Sequence, residues 1–151
     1  ADLEVNNPER MLILNPGQGH TSVAAWMTQH PRQVTLVGRD LLALRYGELN
    51  LAGNGCDPER VVTVHRVGLP VDDAARYDLM LIELRDDETP EVHAELLNQA
   101  AAIARVGSTL LISGGSTPVT RALKAVDSDK RLLARHRKKG KGESVAILKR
   151  R

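Results

Sequence analysis

The sequence is poor in aromatic residues, which make up 2% of its 151 residues and comprise one Trp, two Tyr and no Phe. The core must therefore be built from Leu, Val, Ile and Ala. The shortage also excludes a platform of several exposed rings on which single-stranded nucleic acid would stack its bases. With 42% hydrophobic and 26% charged residues, the composition is that of an ordinary globular protein. The length indicates a single domain over residues 1–151.

Cysteine is nearly absent as well. Cys56 alone cannot form an internal disulfide or a thiolate zinc site, and the five histidines show no metal-ligand spacing, so no metal is predicted. A catalytic role for Cys56 is disfavoured because this residue falls in the turn-like segment 53–58. No apolar run reaches membrane-spanning length, and the first residues lack the basic and apolar parts of a signal peptide. The sequence therefore predicts a cytoplasmic protein with no membrane partner.

The formal net charge of +2 conceals an uneven distribution. Residues 130–151 contain ten Lys or Arg and one acid, Glu143, whereas the rest of the chain contains eleven bases and eighteen acids. Such asymmetry is typical of a protein that binds a polyanion. The alternative interpretation is a solvated basic hairpin that is attracted to the acidic body of the protein and only aids solubility.

Apolar runs alternate with helical patterns along the chain. Five strands are predicted, at residues 11–14, 33–37, 61–64, 77–84 and 110–112. Two further extended segments, 131–137 and 143–149, predict an antiparallel hairpin. The alternation predicts an α/β fold: a doubly wound, mainly parallel seven-stranded sheet with helices on both faces and an antiparallel C-terminal hairpin. In such sheets a ligand binds beyond the carboxyl ends of the strands.

Four helices are predicted between these strands from capping residues and helix-breaking residues. The second carries four apolar side chains on one side, Leu41, Leu42, Tyr46 and Leu49. The helices begin, in order, at Thr21 or Ser22, at Asp40, at Thr89 and at Thr117–Pro118. They end, in order, near His30, at residues 53–55, at Gly107 and near Asp127.

A turn with two glycines, Asn15-Pro16-Gly17-Gln18-Gly19, joins the first strand to the first helix and would let backbone approach a ligand closely. Together with VTLVGRDLLALRYGELNLAGNG at 34–55 and YDLMLI at 77–82, it resembles the class I S-adenosylmethionine-dependent methyltransferases. Within that class the chain is most similar to bacterial ribosomal RNA guanine-N2 methyltransferases of the small-domain type. The resemblance covers nearly the whole chain and implies the class I methyltransferase fold and activity in ribosomal RNA methylation.

The resemblance also implies a cofactor site with weakened contacts. It implies that S-adenosylmethionine is bound at Asn15, Gly17, Gly19 and Asp40. The family has an acid where this chain has Asn15, and its ribose-binding carboxylate falls on Gly38, so Asp40 would have to substitute. We therefore expect cofactor binding to be weak or lost.

The end of the fourth strand departs furthest from the family. Members that methylate an exocyclic amine end this strand with Asn or Asp, two prolines and an aromatic residue, which orient the amine for attack. This chain has Ile82-Glu83-Leu84-Arg85 instead, so Glu83 is the one candidate catalytic residue. A degenerate domain that serves as a noncatalytic scaffold for RNA or a partner is the alternative interpretation.

The same resemblance leads to expectations about a partner domain and about whether the chain is part of a longer protein. Some family members pair one catalytic and one degenerate domain, which implies a second methyltransferase domain as a partner. The chain has no initiating Met and reaches its first strand at Met11, whereas such enzymes usually carry a leading element, so a fragment of a longer protein is expected. Lys138, Lys139 and Lys141, in the turn of the basic hairpin, are the predicted RNA-binding residues.

Two other interpretations remain open. One pattern also fits an NADP-binding Rossmann domain, in which Arg39 would bind the 2′-phosphate. This pattern is Gly17-x-Gly19-x-x-Ser22 followed by Val37-Gly38-Arg39. The acidic run 86–88 would lie at the ligand edge of the sheet. It would either hold a divalent cation or form a solvated loop that favours the start of the next helix.

Overall fold

A computed structural model of the chain describes residues 7–15, 20–72 and 76–151, and only the backbone of His20 and Thr21. The helices and strands of these residues, in chain order, are β1 (Arg10–Leu14), α1 (His20–Gln29), β2 (Gln33–Gly38), α2 (Leu41–Gly53), β3 (Val61–His65), β4 (Tyr77–Leu84), α3 (Pro90–Ile103), β5 (Ala104–Gly115), α4 (Ser116–Asp127), β6 (Leu132–Gly140) and β7 (Glu143–Arg150). A short 3₁₀ turn, Pro58–Arg60, precedes β3.

The strands form one seven-stranded sheet in the order β3-β2-β1-β4-β5-β7-β6. The first five strands in the chain pair in parallel, whereas β7 pairs antiparallel with β5 and with β6. The predicted fold class is therefore confirmed, including the C-terminal hairpin. Because β1 lies between β2 and β4, the chain winds in opposite directions on the two sides of β1.

Two apolar clusters cover opposite faces of the sheet. One face of β1, with Met11 and Ile13, packs against α1 and α2. The other face, with Leu12 and Leu14, belongs to a cluster that includes α3 and α4. Strand residues alternate between these faces, as the pleat of a strand requires. Leu, Ile, Val, Ala and Met supply most of this core, as the shortage of aromatics predicts.

Helix α2 packs on the sheet through a different side from the one that carries the apolar residues singled out in the sequence. The Asp40 carboxylate accepts hydrogen bonds from the backbone N–H groups of Leu42 (3.0 Å) and Ala43 (3.2 Å), which confirms the predicted N-cap. The buried side of the helix consists of Leu44, Gly47 and Leu51. The four apolar side chains singled out in the sequence, Leu41, Leu42, Tyr46 and Leu49, are exposed instead.

The predicted end of α3 at Gly107 is wrong. The cap at Thr89 is confirmed, since its hydroxyl accepts from Val92 N–H, but the helix ends at Ile103 and the chain enters β5 at once. Gly107 lies within β5 at φ +85°, in a bulge between the pairs Tyr77↔Ala104 and Leu79↔Thr109. A glycine adopts this left-handed conformation without a Cβ clash, so it serves the bulge rather than a helix end.

The predicted starts of two other helices are displaced. Helix α1 begins at His20, so Ser22 lies inside it, fully buried, rather than capping it. Helix α4 begins at Ser116, after Gly115, and no side chain caps it. The chain passes from β5 into α4 without a loop, which leaves no room for a separate capping residue at Thr117.

Cys56 and Trp26 both belong to the core on the α1–α2 face. Cys56 is 4% exposed, and burial, with a smaller contribution from Asp57, raises the pKa of its thiol. A raised thiol pKa disfavours the thiolate, so the structure supports the structural interpretation of this cysteine. Trp26 is partly buried and packs against the same cluster. None of the helices in the described parts of the chain is long and apolar enough to cross a membrane.

Gly114 is the tightest point between β4 and β5. Its φ is +152°, and a Cβ placed there would lie 2.7 Å from the backbone oxygen of Leu84. We expect Gly114→Ala to lower the free energy of unfolding by about 2–4 kcal/mol, from backbone strain and the clash together. Gly107→Ala is the matched control, since open space surrounds it, and should lose only about 1–2 kcal/mol. Equal losses in urea unfolding would contradict the close approach.

Candidate functional site

A cleft of about 410 Å³ opens at the carboxyl edge of the sheet, next to the point where the winding reverses at β1 and β4. The predicted site residues Asn15, Asp40 and Glu83 all line it, and they come from the ends of three different strands. Gly114 and Glu143 close its far side. This is where open α/β sheets bind ligands, and the volume lies in the range of small-molecule sites.

Asn15 connects the two strands that flank β1. It takes a left-handed conformation, φ +56°, and its backbone N–H donates to Val37 O at 2.8 Å. Its side-chain Nδ2 donates to Glu83 O at 3.4 Å. Asparagine tolerates this conformation better than most residues. Asn15 therefore holds the ends of β2 and β4 at the rim of the cleft.

Asp40 faces the cleft at the start of α2. One carboxylate oxygen, Oδ1, receives both N-cap hydrogen bonds, and the described residues bond only that oxygen. The second oxygen is therefore available to a ligand hydroxyl. Gly38, where the family resemblance places a ribose-binding carboxylate, is buried and also lines the cleft.

Arg39, Asp87 and Arg85 form an ion-pair cluster beside the cleft. Asp87 Oδ2 accepts from Arg39 Nη2 at 2.9 Å and from Arg85 Nη2 at 3.1 Å, and its Oδ1 accepts from Arg85 Nε at 3.0 Å. Arg85 chiefly, with Arg39 assisting, lowers the pKa of the Asp87 carboxyl. Arg39 follows β2 and Asp87 follows β4, so the cluster spans the carboxyl end of β1. Both partners of the Arg39–Asp87 pair are well exposed, and such pairs contribute only about 0–1 kcal/mol.

A much smaller pocket, of about 10 Å³, lies beyond this cluster. Its lining includes Arg39, Glu88 and the residues that follow β3, Arg66 to Gly68. The volume suffices for about one water molecule. The resembled family has an acid after β3, near the adenine of its cofactor, and this chain has His65-Arg66-Val67 there. The pocket at these residues is much smaller than a purine.

The pKa of the Glu83 carboxyl is raised above the ordinary value of glutamate. Glu83 lies at the end of β4, and partial burial of the carboxyl raises its pKa, opposed by Arg85 and reinforced by Glu143 and Asp86. The next residue, Leu84, buries its side chain in the core and also borders the cleft. Glu83 thus offers one hydrogen-bond acceptor to the cleft, without the prolines and aromatic ring of the resembled motif.

The cleft carries a strong excess of negative charge. Among the residues that the structure describes, five carboxylates line it, those of Asp40, Glu83, Asp86, Asp87 and Glu143, against one guanidinium, that of Arg85. Such a site favours cations and repels polyanions. The methionine end of S-adenosylmethionine carries a sulfonium, an ammonium and one carboxylate group, a net positive charge that the carboxylates of the cleft favour.

The sequence interpretation missed two groups of this site. Glu143 begins β7, and an antiparallel last strand necessarily starts at the edge where the parallel strands end, so the predicted hairpin already implied its position. The second group is His93, whose Nε2 donates to Arg85 O at 2.9 Å from a buried position in α3. Together with Glu88, whose backbone N–H donates to the same carbonyl, it fixes the loop after β4.

The basic hairpin turn lies at the same edge of the sheet as the cleft. Lys141 and Gly142 form a two-residue turn, both with positive φ, and Gly142 O accepts from Ser116 N–H at 3.1 Å. Lys138 and Lys139 are exposed and flank this turn on β6, which is an edge strand. The three predicted RNA-binding lysines therefore lie together, beside the residue, Glu143, that lines the cleft.

Two of the predicted cofactor residues, Gly17 and Gly19, lie outside the described residues. Within the described parts, no group of three or more His, Cys, Asp or Glu side chains has the geometry to hold a metal ion. The acidic run 86–88 is instead occupied by the contacts given above, with Asp87 in the ion-pair cluster and Glu88 in the loop.

Comparison with solved structures agrees with this geometry. The chain is similar to a ribosomal protein L11 methylase from Lactobacillus delbrueckii subsp. bulgaricus, with a TM-score of 0.80 and 14% identity over 97% of this chain and 72% of that one. It is also similar to an rRNA methylase from Streptococcus thermophilus, with a TM-score of 0.76 and 14% identity over 97% and 89% of the two chains.

A third similar structure, TrmK from M. capricolum, contains S-adenosyl-homocysteine, with a TM-score of 0.74 and 12% identity over 97% of this chain and 64% of that one. No protein-family model and no curated protein matches the sequence. The chain therefore has the class I methyltransferase fold. Identities this low establish the fold, and the function has to be argued from the site.

The electrostatic environment of Glu83 leads to a prediction with two opposed variants. Its carboxyl should titrate above the ordinary range of glutamate when followed by NMR. Arg85→Ala should raise the pKa further, because a favourable charge is lost, and Glu143→Gln should lower it. Since the folded pKa is raised, the contribution of Glu83 to stability is present at low pH and is lost as the pH rises through that pKa. Shifts in the same direction in both variants would contradict this assignment.

Proposed function

We propose that this chain is a methyltransferase-fold domain linked to ribosomal RNA methylation, with a weakened cofactor site and without efficient catalysis of amine methylation. The observation that carries the proposal is the cleft itself. Three strand ends bring Asn15, Asp40 and Glu83 together at the reversal point of a sheet with the class I methyltransferase strand order. Cytoplasmic location, as expected for such a function, stays a prediction.

Charge supports S-adenosylmethionine as the ligand. The sulfonium and ammonium groups would lie among carboxylates, and Asp40 has one carboxylate oxygen to accept from a ribose hydroxyl. When bound, the cofactor supplies an electrophilic methyl group. Glu83 is the acceptor in this chain best placed to orient a nucleophile toward that group, since it lies at the end of β4 within the cleft.

Two features argue for weak binding. Gly38 leaves the ribose without the carboxylate that the resembled family uses, which removes a charge-assisted hydrogen bond. The pocket beyond the Arg39–Asp87–Arg85 cluster is smaller than adenine, so a cofactor that placed its adenine there would also have to open that cluster. The Arg39–Asp87 pair is exposed and weak, and its opening alone would reduce affinity by less than about tenfold.

The basic hairpin supports RNA as the macromolecular partner. Solved structures with this fold include both a protein methylase and an rRNA methylase, so the fold alone does not distinguish a protein substrate from an RNA substrate. The turn of three lysines favours RNA, because it supplies positive charge at the edge that bears the cleft while the cleft repels phosphates. RNA would then contact the hairpin by its backbone and place only a base at the cleft.

A noncatalytic scaffold is the second candidate function. It is favoured by the absence, after Glu83, of the two prolines and the aromatic residue with which the resembled motif orients the amine. In that role the domain would bind RNA or a second methyltransferase domain, and methylation would occur elsewhere. An NADP site is disfavoured, since Asp87 already bonds Arg39 and would repel a 2′-phosphate.

The cofactor proposal predicts a gain of affinity in Gly38→Asp. The new carboxylate adds a charge-assisted hydrogen bond worth about 1.5–3 kcal/mol. We therefore expect S-adenosylmethionine to bind about tenfold to a hundredfold more tightly in calorimetry. Gly38→Asn, of nearly the same shape without the charge, should gain less. A low-micromolar dissociation constant for the unmodified chain would contradict weak binding, and tight NADP binding abolished by Arg39→Ala would favour the reductase-like alternative.

The RNA proposal predicts a strong salt dependence that resides in the hairpin. Structured RNA should bind measurably at low salt, because released counterions drive the association. Replacing Lys138, Lys139 and Lys141 together by Ser should reduce the logarithmic salt slope by about two to three units.

The matched control removes the same charge from the opposite edge of the sheet, as Arg32→Ser, Arg60→Ser and Arg105→Ser. These residues precede β2, precede β3 and begin β5, and are exposed. Their loss should leave the slope nearly unchanged. An unchanged affinity and slope in the hairpin variant would make the hairpin a solvated surface and remove the support for RNA.

A further inference from the structure

Four residues form a line across the sheet at the level of the cleft. Glu83, at the end of β4, pairs with Ser113 of β5. Ser113 pairs in turn with Val145 of β7, and Val145 pairs with Lys138 of β6. Cross-strand partners point to the same face of a sheet, so the four side chains share one face. We name these four residues the transverse row.

The transverse row lies on the face that is not covered by α4. Helix α4 packs against β6 and β7 from the other face, where Ala146 and Leu148 belong to the core cluster. Val145, by contrast, is 37% exposed, and Lys138 is exposed as well. The described structure therefore leaves this part of the row accessible to a large partner.

A small cavity of about 40 Å³ lies at the end of the row next to the cleft. Glu83 and Ser113 both line it, together with the apolar side chains of Leu81 and Leu111. Glu83 also lines the cleft, so the row is continuous with the candidate site. A ligand on the row would therefore reach the cleft without leaving the surface of the sheet.

The chemical character of the row changes from one end to the other. Its members supply, in order, a carboxylate, a hydroxyl, an apolar surface and a cation. A nucleotide carries the complementary groups, since it has hydrogen-bond donors on the edge of its base, an apolar base face and an anionic phosphate. Three strand spacings separate the ends of the row, about 14 Å between the Cα atoms of Glu83 and Lys138. Because both end side chains are long and can reach inward, one nucleotide can bridge this span.

We propose that the transverse row holds the nucleotide whose base enters the cleft. Lys138 binds its phosphate, and the base lies on Val145. Ser113 and Glu83 accept hydrogen bonds from the edge of the base. This inference rests on the proposed RNA function and adds to it the direction of approach and the kind of RNA. A base can lie on the row only when it is unpaired, so the substrate class is a loop or bulge of a folded RNA.

The opposite face of the hairpin does not offer such a surface. There Ser144 pairs with Lys139 and is 1% exposed. Arg137 Nη2 donates to Ser144 Oγ at 3.1 Å and to Thr120 Oγ1 at 2.9 Å. These contacts join the hairpin to α4 and close the space between them, so a base has no surface to lie on at this level.

The test compares acidic substitutions on the two faces of the same edge. Val145→Glu should weaken the binding of a fluorescein-labelled stem-loop RNA at least about tenfold in anisotropy titrations, because a carboxylate would then face the phosphate and the base. Thr117→Glu is the matched control, since Thr117 is exposed in the first turn of α4, on the other face. It should weaken binding by less than about threefold at the same salt concentration. Val145→Thr, which keeps the shape without a charge, should bind like the unmodified chain.

A photo-crosslinking group at the same position gives a readout that does not depend on affinity. Val145→p-benzoylphenylalanine should crosslink to the unpaired loop of the RNA, and the same group at Thr117 should crosslink less. Val145 is partly exposed, so its variants should fold, which circular dichroism verifies.

The outcomes separate this inference from the proposed function. Equal losses of affinity in Val145→Glu and Thr117→Glu would overturn the role of the transverse row and leave the RNA proposal standing. The absence of a crosslink from position 145 in a chain that binds the RNA would do the same. A chain that does not bind the stem-loop RNA at low salt would overturn both.

Discussion

The parallel pairing of β1 with both β2 and β4 is the constraint on which the rest of the structure depends. It places α1 and α2 on one face of the sheet and α3 and α4 on the other, so the segments that leave the strand ends diverge and leave a gap between them. Asn15 joins the ends of β2 and β4 across this gap. The existence of the cleft thus follows from topology, whereas its chemistry depends on the few residues after each strand.

Those few residues divide the carboxyl edge into two electrostatic regions. Carboxylates concentrate in the cleft, and lysines concentrate on the hairpin turn next to it. The pairing of β5 with β7 brings the two regions together, because Glu143 closes the cleft and the turn immediately precedes it. A cationic small molecule and a polyanion would therefore be attracted to adjacent but different sites. Neither would use the charged groups that attract the other.

Much of this architecture could be predicted from the sequence, because the signals are local. Apolar runs gave the five parallel strands their approximate positions, and Asp40 and Thr89 are caps whose side chains accept hydrogen bonds from the first turn of the helix. The end of α3 could not be predicted, since Gly107 is used by a bulge that depends on pairing with β4. The packing side of α2 was also hidden, because the helix has two apolar sides and composition alone does not distinguish them.

Of the candidate site, the family resemblance implied Asn15, Asp40 and Glu83, and they meet because residues that follow parallel strands lie at one edge. The Arg39–Asp87–Arg85 cluster could not be predicted in the same way. Arg39 is far from Asp87 in the chain, and Arg85 is so near to Asp87 that their contact suggests no long-range packing. Only the side-chain conformations show that the three residues converge. The cluster borders the cleft through Arg85 and Asp87 and the small pocket through Arg39.

Because Cys56 is buried, the reactivity of its thiol reports how often the structure around it opens. The thiol lies beneath the end of α2, with its backbone N–H bonded to Leu51 O at 2.9 Å. As the sole cysteine, it can react with a thiol reagent only when this junction separates from the sheet. The rate of its modification therefore measures how often α2 detaches, a fluctuation that equilibrium unfolding of the whole domain would not resolve.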